Sequence, residues 1–198
     1  MPSSFDQSRY QVRLEHGVDG LRRLATSDVV VVVDVLDVSR HAIDAAAAGA
    51  ELAVAALGDE VRSMVAAASA SSVLVGGLRN ARAVAAAILA EQERRGQRTS
   101  VALVASTPRG RFAVENQLAA GAIIDGLAAR GIDHSSPEAA VACEGFRALR
   151  GAVRHMVTAA GNGQLLVEEG LRDAVLAQTR SDDTDAVPAL HGDHFSRL

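Results

Sequence analysis

Val29-Val30-Val31-Val32-Val33-Asp34 is the stretch that decides the fold. Five β-branched residues in a row suit a strand buried on both faces, the pattern of a central parallel strand with helices above and below it. Asp37 and Ser39 follow, both residue types that cap helices. A helix-forming run from Ala42 to Ala48 comes next and is closed by Gly49 at a C′ position. Further out, Glu51 to Leu57 reads as a strand and Asp59 to Ala70 as a helix. Val73-Leu74-Val75 reads as a short strand, Gly76-Gly77 as a turn, and Arg79 to Arg95 as a long helix. Val101 to Ala105 reads as a strand, Ser106 to Gly110 as a turn, and Arg111 to Arg130 as a helix. Strands alternating with helices of this length predict βαβ units with right-handed crossovers.

The pattern changes near Ser136. Ser136-Pro137-Glu138 has the form of a helix start with proline at its first position. Helical patterns follow over Cys143 to Leu149, Val153 to Val157 and Leu165 to Ala177. Residues 180–198 are acidic, then contain Val187-Pro188-Ala189-Leu190, and read as an extended tail. The expected architecture is one α/β domain over residues 1–198. It is a three-layer α/β/α sandwich with a mostly parallel sheet and a helical C-terminal part.

Composition narrows the partners. The chain has 198 residues, 24 acidic and 20 basic, for a net charge of −4, and all the basic residues are arginine. A mildly acidic chain has no global attraction for nucleic acid or an anionic membrane. Aromatic residues are only 3% of the chain, too few for a platform on which bases stack. No apolar run approaches the roughly 20 residues of a membrane helix. The first 20 residues hold no hydrophobic signal core, and the lone Cys143 permits no internal disulfide. A cytoplasmic location is therefore expected. Cys143 has no histidine or cysteine neighbour and reads as a structural thiol. His191-Gly192-Asp193-His194 has metal-ligand chemistry but falls in the expected tail.

Three turns follow strands of an open parallel sheet, where ligands bind. The first holds Asp34, Asp37, Ser39, Arg40 and His41. Asp34, at a strand end, is placed to hold Mg²⁺, which prefers oxygen ligands, or to bond the turn; Ser39 also suits a helix cap. The second turn sets Gly76 and Gly77 before a helix, where backbone N–H groups can receive a phosphate; an ordinary tight turn has the same sequence. The third carries Arg109 and Arg111, suited to bidentate contact with phosphate, and then Glu115. Arg111 and Glu115 also have the spacing of a surface ion pair.

Taken in order, these turns resemble the 2-phosphosulfolactate phosphatases. The blocks that carry the likeness are Gln7 to Arg13 with Gly17, Val33-Asp34-Val35-Leu36-Asp37-Val38-Ser39, and Val75-Gly76-Gly77-Leu78-Arg79-Asn80-Ala81. Further blocks are Val114 to Leu118 with Ala120 to Ile124, Ser136-Pro137-Glu138, Asp173-Ala174-Val175, and Val187 to Leu190. The resemblance implies Mg²⁺-dependent hydrolysis of a small phosphorylated organic acid such as 2-phosphosulfolactate. It implies Asp34 and Glu115 as metal ligands and catalytic groups, together with Arg111. It implies Ser39, Gly76, Gly77, Asn80 and Arg109 as substrate contacts, and it leaves a homodimer open. The chain is a shortened and divergent member of the pattern. The segment before Gly76 lacks a Ser/Thr/Asn/Gly-rich turn, an Ala-Gly-Glu-Arg turn has become Ala105 to Arg109, and a Glu-Asp pair has become Glu115-Asn116. A relative that binds a small anion or a protein partner without turnover is the alternative, as is one that uses Asp37 and Arg40 in place of what was lost.

Overall fold

The computed structural model describes residues 3–198. A seven-stranded sheet runs in the order β1 (Val12–His16), β5 (Val101–Ala105), β2 (Val29–Val33), β4 (Ser72–Gly76), β6 (Pro188–His191), β7 (His194–Arg197), β3 (Leu52–Ala53). The first four are parallel, and the last three join them antiparallel. The α/β expectation with a mostly parallel sheet holds.

The side-chain period of a strand explains the layering. Val29, Val31 and Val33 point into one apolar cluster, Val30 and Val32 into the other. The first cluster is covered by α4 (Ala81–Arg95), α5 (Val114–Ala128), α6 (Pro137–Leu149), α7 (Val153–Ala159) and α9 (Arg172–Gln178). The second is covered by α1 (Gly17–Arg23), α2 (Val38–Ala47) and α3 (Asp59–Ala67). Every valine of β2 is at most 2% exposed, and each such burial stabilises by roughly 1.5–3 kcal/mol. The strand is therefore rigid, and whatever follows Val33 is held in a fixed place.

Helix α5 packs tightly against α6. A Cβ on Gly121 would lie 2.2 Å from the Ala142 carbonyl oxygen of α6. The Ala120-Gly121-Ala122 block is thus what lets two helices approach backbone to backbone. Ser136 caps α6 as its sequence suggests, accepting a hydrogen bond from the Ala139 N–H.

Several boundaries differ from expectation. Strand β1 and its following helix α1 lie in a segment whose mixed polarity gave no strand signal. Arg13 on β1 is only 5% exposed, because its guanidinium reaches the carbonyls of Tyr10, Ala25 and Ser8. Glu51 to Leu57 forms only the short β3 and then a 3-10 turn. The run from Leu165 to Ala177 is broken at Gly170, whose φ is +81°, into α8 (Gly161–Glu168) and α9. The C-terminal residues are extended but not loose. Asp182 caps α4 by accepting from the Arg82 N–H at 2.7 Å, and Pro188 to Arg197 form a hairpin inside the sheet.

Candidate functional site

Parallel register brings three strand ends to one rim. Val33 is paired with Gly76 on one side and Ala105 on the other. Asp34, Gly77 and Ser106 are therefore neighbours by construction.

Asp34 is the centre of this rim. It is 7% exposed, and its Oδ2 accepts a hydrogen bond from the Ser106 hydroxyl at 2.7 Å. Asn116, on the first turn of α5, sets the direction of that bond. Its Oδ1 must face the Val35 N–H, at 2.8 Å, because that group can only donate. Its Nδ2 then donates to the Ser106 hydroxyl oxygen at 2.9 Å and the Ser106 carbonyl at 3.1 Å. The serine proton is left for Asp34. Burial pushes the Asp34 carboxyl up to about 7, and the nearby Asp37 and Glu60 carboxylates add to this against the Ser106 hydroxyl and the Asp37 backbone N–H.

A cavity of about 390 Å³ opens beside Asp34. Asp37 and Arg40 line it from the start of α2, Asp59 and Glu60 from the start of α3. Pro108 and Arg109 line it from the loop after β5, and Asn162, Leu165 and Leu166 from α8. Two guanidinium groups stand in its wall without a carboxylate partner among the described residues. The Nε of Arg40 is buried and has no hydrogen-bond partner, and its Nη2 lies 3.1 Å from His41 Nε2. Arg109 is exposed and sits in the left-handed region with φ +58°. Such a backbone is uncommon for a residue with a side chain and recurs at ligand clamps. Glu60 anchors the opposite wall, its Oε1 accepting from the Thr107 N–H at 2.8 Å and the Thr107 hydroxyl at 2.6 Å.

Of the residues expected from sequence, Asp34 and Arg109 meet in this cavity, together with the Asp37 and Arg40 of the alternative reading. Glu115 comes near without lining it. It is 2% exposed, and its Oε1 accepts from Asn162 Nδ2 at 2.9 Å, so it holds a residue that does line the cavity. The surface ion pair of Arg111 with Glu115 does not form: Arg111 precedes the helix, is exposed and stands outside the cavity.

The glycine turn departs from the phosphate cradle expected of it. The Gly77 N–H donates to Asn80 Oδ1 at 2.9 Å, so it is already used. Asn80 is fully buried, and its Nδ2 donates to the Val75 and Ala186 carbonyls. Gly76 is a packing glycine, since a Cβ there would stand 2.5 Å from Ile123 Cδ1. Ser39 is internal too, its hydroxyl donating to the Gly76 carbonyl at 2.7 Å and accepting from the Asp34 N–H at 3.2 Å. These four residues tie β2, β4 and α2 together and do not line the cavity.

Sequence reasoning did not single out Glu60, Asn162, Leu165 or Ser106 as parts of one site. Only Ser106 had a signal, as the residue just past a predicted strand. Among the described residues, no group of three or more His, Cys, Asp or Glu side chains is gathered closely enough to hold a metal ion on its own. No helix in the described residues is long and apolar enough to cross a membrane. Cys143 is buried in α6, and burial raises its thiol, which leaves it inert.

No curated protein matches the chain. A family model described as 2-phosphosulpholactate phosphatase matches residues 58–193. The match begins at Gly58, just before α3, and ends at Asp193 in the β6–β7 turn, so β2 and the Asp34 loop lie upstream of it. It takes in α3 with Glu60, the Gly76 turn, the Arg109 loop, α5 and α8, and covers well over half of the sequence: the chain belongs to the 2-phosphosulpholactate phosphatase family.

Proposed function

We propose that the chain hydrolyses a small phosphorylated organic compound in the Asp34 cavity, with Mg²⁺ as its metal. The observation that carries this reading is the pairing, in one cavity at the sheet's C-terminal rim, of a buried carboxyl with two guanidinium groups that have no carboxylate partner among the described residues. Buried polar atoms are nearly always bonded, so the Arg40 Nε is a donor awaiting an acceptor. Phosphate oxygens are suitable acceptors, and Arg109 can grip the same group from the other wall.

The donor set suits Mg²⁺. Asp34, Asp37 and Glu60 present hard oxygen atoms to the same space, and this ion commonly takes only one or two carboxylates, completing its shell with water and substrate phosphate. A preformed cluster of three is not needed. Asp34 and Asp37 would hold it, and when bound it would neutralise phosphate charge as a Lewis acid. Glu115, expected as a ligand from the family pattern, has its Oε1 on Asn162 and supports the α8 wall instead.

The protein's own groups then divide the work. Arg40 and Arg109 bind and orient the phosphate, stabilising charge that grows toward the transition state. Asp34, with its carboxyl near 7 while no cation is bound, would release its proton near neutral pH as the cation binds. Asn116 and Ser106 keep it oriented. Helix α8 shields the cavity from one side.

The test is phosphate release by the purified protein with and without Mg²⁺, over 2-phosphosulfolactate, phosphoglycolate and phosphoglycerate. Mg²⁺-dependent release supports the reading. No release, with a clear rise in thermal stability on adding the same compounds, supports a non-catalytic anion binder instead.

A further inference from the structure

We infer that Glu60 is a positioning residue: by binding Thr107 it fixes the turn that presents Arg109 to the cavity, and so sets how tightly phosphate is held. The inference rests on the phosphatase reading above and adds to it a residue that acts through another.

The chain makes a tight turn just after β5. The Gly110 N–H donates to the Thr107 carbonyl at 2.7 Å, and the Arg111 N–H to the Pro108 carbonyl at 3.2 Å. Arg109 and Gly110 both take left-handed backbones, with φ of +58° and +68°. Glycine accepts this freely, but at arginine it is uncommon and persists only where the surroundings over-determine it. The bonds inside the turn fix its shape and not its place. Its place depends on Glu60, in the first turn of α3. Among the described residues, the hydrogen bonds that tie residues 107–111 to the rest of the protein all end on Glu60 Oε1, from the Thr107 N–H at 2.8 Å and the Thr107 hydroxyl at 2.6 Å.

Gly17 closes this joint from a third side. It has φ +64°, and a Cβ added there would stand 2.9 Å from Thr107 Oγ1 and 3.3 Å from Glu60 Oε1. Bare backbone packed this closely leaves little room for water to compete for the pair. Arg109 follows two residues after Thr107 and lines the cavity. Its guanidinium makes no hydrogen bond to the described residues, so its backbone alone decides where it points. Glu60 also lines the cavity, and there its charge repels an anion while its bond to Thr107 brings Arg109 toward one. The two effects have opposite signs, which makes them separable.

The test is the affinity of the full chain for inorganic phosphate, measured by titration calorimetry with no turnover involved. Glu60→Gln and Glu60→Ala both remove the charge, which alone would tighten phosphate binding. Only glutamine keeps an acceptor for Thr107. Binding should therefore be weaker in Glu60→Ala than in Glu60→Gln, by about tenfold. In an Arg109→Ala background the same two variants should differ by less than about twofold, because the turn then has no guanidinium to position. Thr107→Val deletes the hydroxyl bond alone and should weaken binding by about threefold. It replaces Glu60→Ala if that variant does not fold, and an unchanged affinity there counts against the inference equally. Equal affinities in the glutamine and alanine variants, or a difference that persists without Arg109, overturn the inference and leave the phosphatase reading standing. Phosphate binding without release from any ester overturns the phosphatase reading, and the comparison of the two Glu60 variants still decides the inference. A wild-type protein that binds no phosphate overturns both.

Discussion

Asp28 and Asp34 stand at opposite ends of the same strand, and the fold treats them in opposite ways. Asp28 enters β2 and is well satisfied. Its Oδ2 accepts from the Ser100 N–H and hydroxyl, each at 2.7 Å, and its Oδ1 lies 2.6 Å from Arg95 Nη2. Burial works against its charge, but the Ser100 bonds and Arg95 together outweigh it and hold the carboxyl below the ordinary range. Asp34 leaves β2 beside two other carboxylates, with one hydroxyl donor and one backbone N–H, and is pushed up to about 7. One end of the strand is a rivet between β2, β5 and α4. The other is kept in a state the fold alone does not favour, which is where sites are found.

The largest test of this contrast is Asp34→Asn. Turnover should fall by about a hundredfold or more, while the metal-free protein at pH 8 should melt no lower than wild type. A fall in melting temperature of several degrees would make Asp34 a second rivet. The pH dependence sharpens the point. Below its unfolded value of 3.8, Asp34 is protonated in both states and makes no difference. Between 3.8 and about 7 the folded protein holds a proton that the unfolded chain has lost, so stability falls as pH rises through that window. The full effect is on the order of 4 kcal/mol. Asp28 has the opposite sign. Its stabilisation is present above the ordinary value and is lost as pH drops through its lowered one. Urea unfolding of wild type and Asp34→Asn in EDTA, from pH 4 to pH 8, should show the two curves converging toward acid.

At the other end, Asp28→Ala should lower stability by about 1–3 kcal/mol in urea unfolding, with turnover unchanged; a loss of activity in folded protein would break the comparison. Glu115→Gln keeps an acceptor for Asn162 but removes the charge. Turnover should change by less than about threefold, and a drop of tenfold or more would place the Glu115 charge in the chemistry. The smallest effect belongs to Arg111→Ala, which should change kcat/KM by less than about twofold, as for a surface side chain away from the reacting groups.

How far each feature could be read depends on how local its signal is. β2 was legible because five valines report a two-sided environment directly. The Ser136 cap and the proline after it were legible for the same reason. Gly76 and Gly77 illustrate the opposite case. A glycine says only that a backbone is approached closely or bent. At Gly76 the approaching group is Ile123 from α5, not a phosphate. β1 was missed because Arg13 looks like a surface residue. Only carbonyls contributed by the turns around it make its burial tolerable. The α8 wall was missed because Gly161-Asn162-Gly163 carries no pattern of its own, and its contact with Glu115 spans 47 positions.

The sequence by itself determined the α/β layering, the central strand, Asp34 at its end and the family likeness, since each rests on residue types at short, regular spacing. Tertiary structure decided which polar groups are free. Ser39, Asn80 and the Gly77 amide are used up inside the fold, Glu115 is turned to Asn162, and Arg40 and Arg109 are left to face the cavity. A hydrogen-bonding group can bind a ligand only if the fold has not already given it a partner, and those partners come from segments far away along the chain.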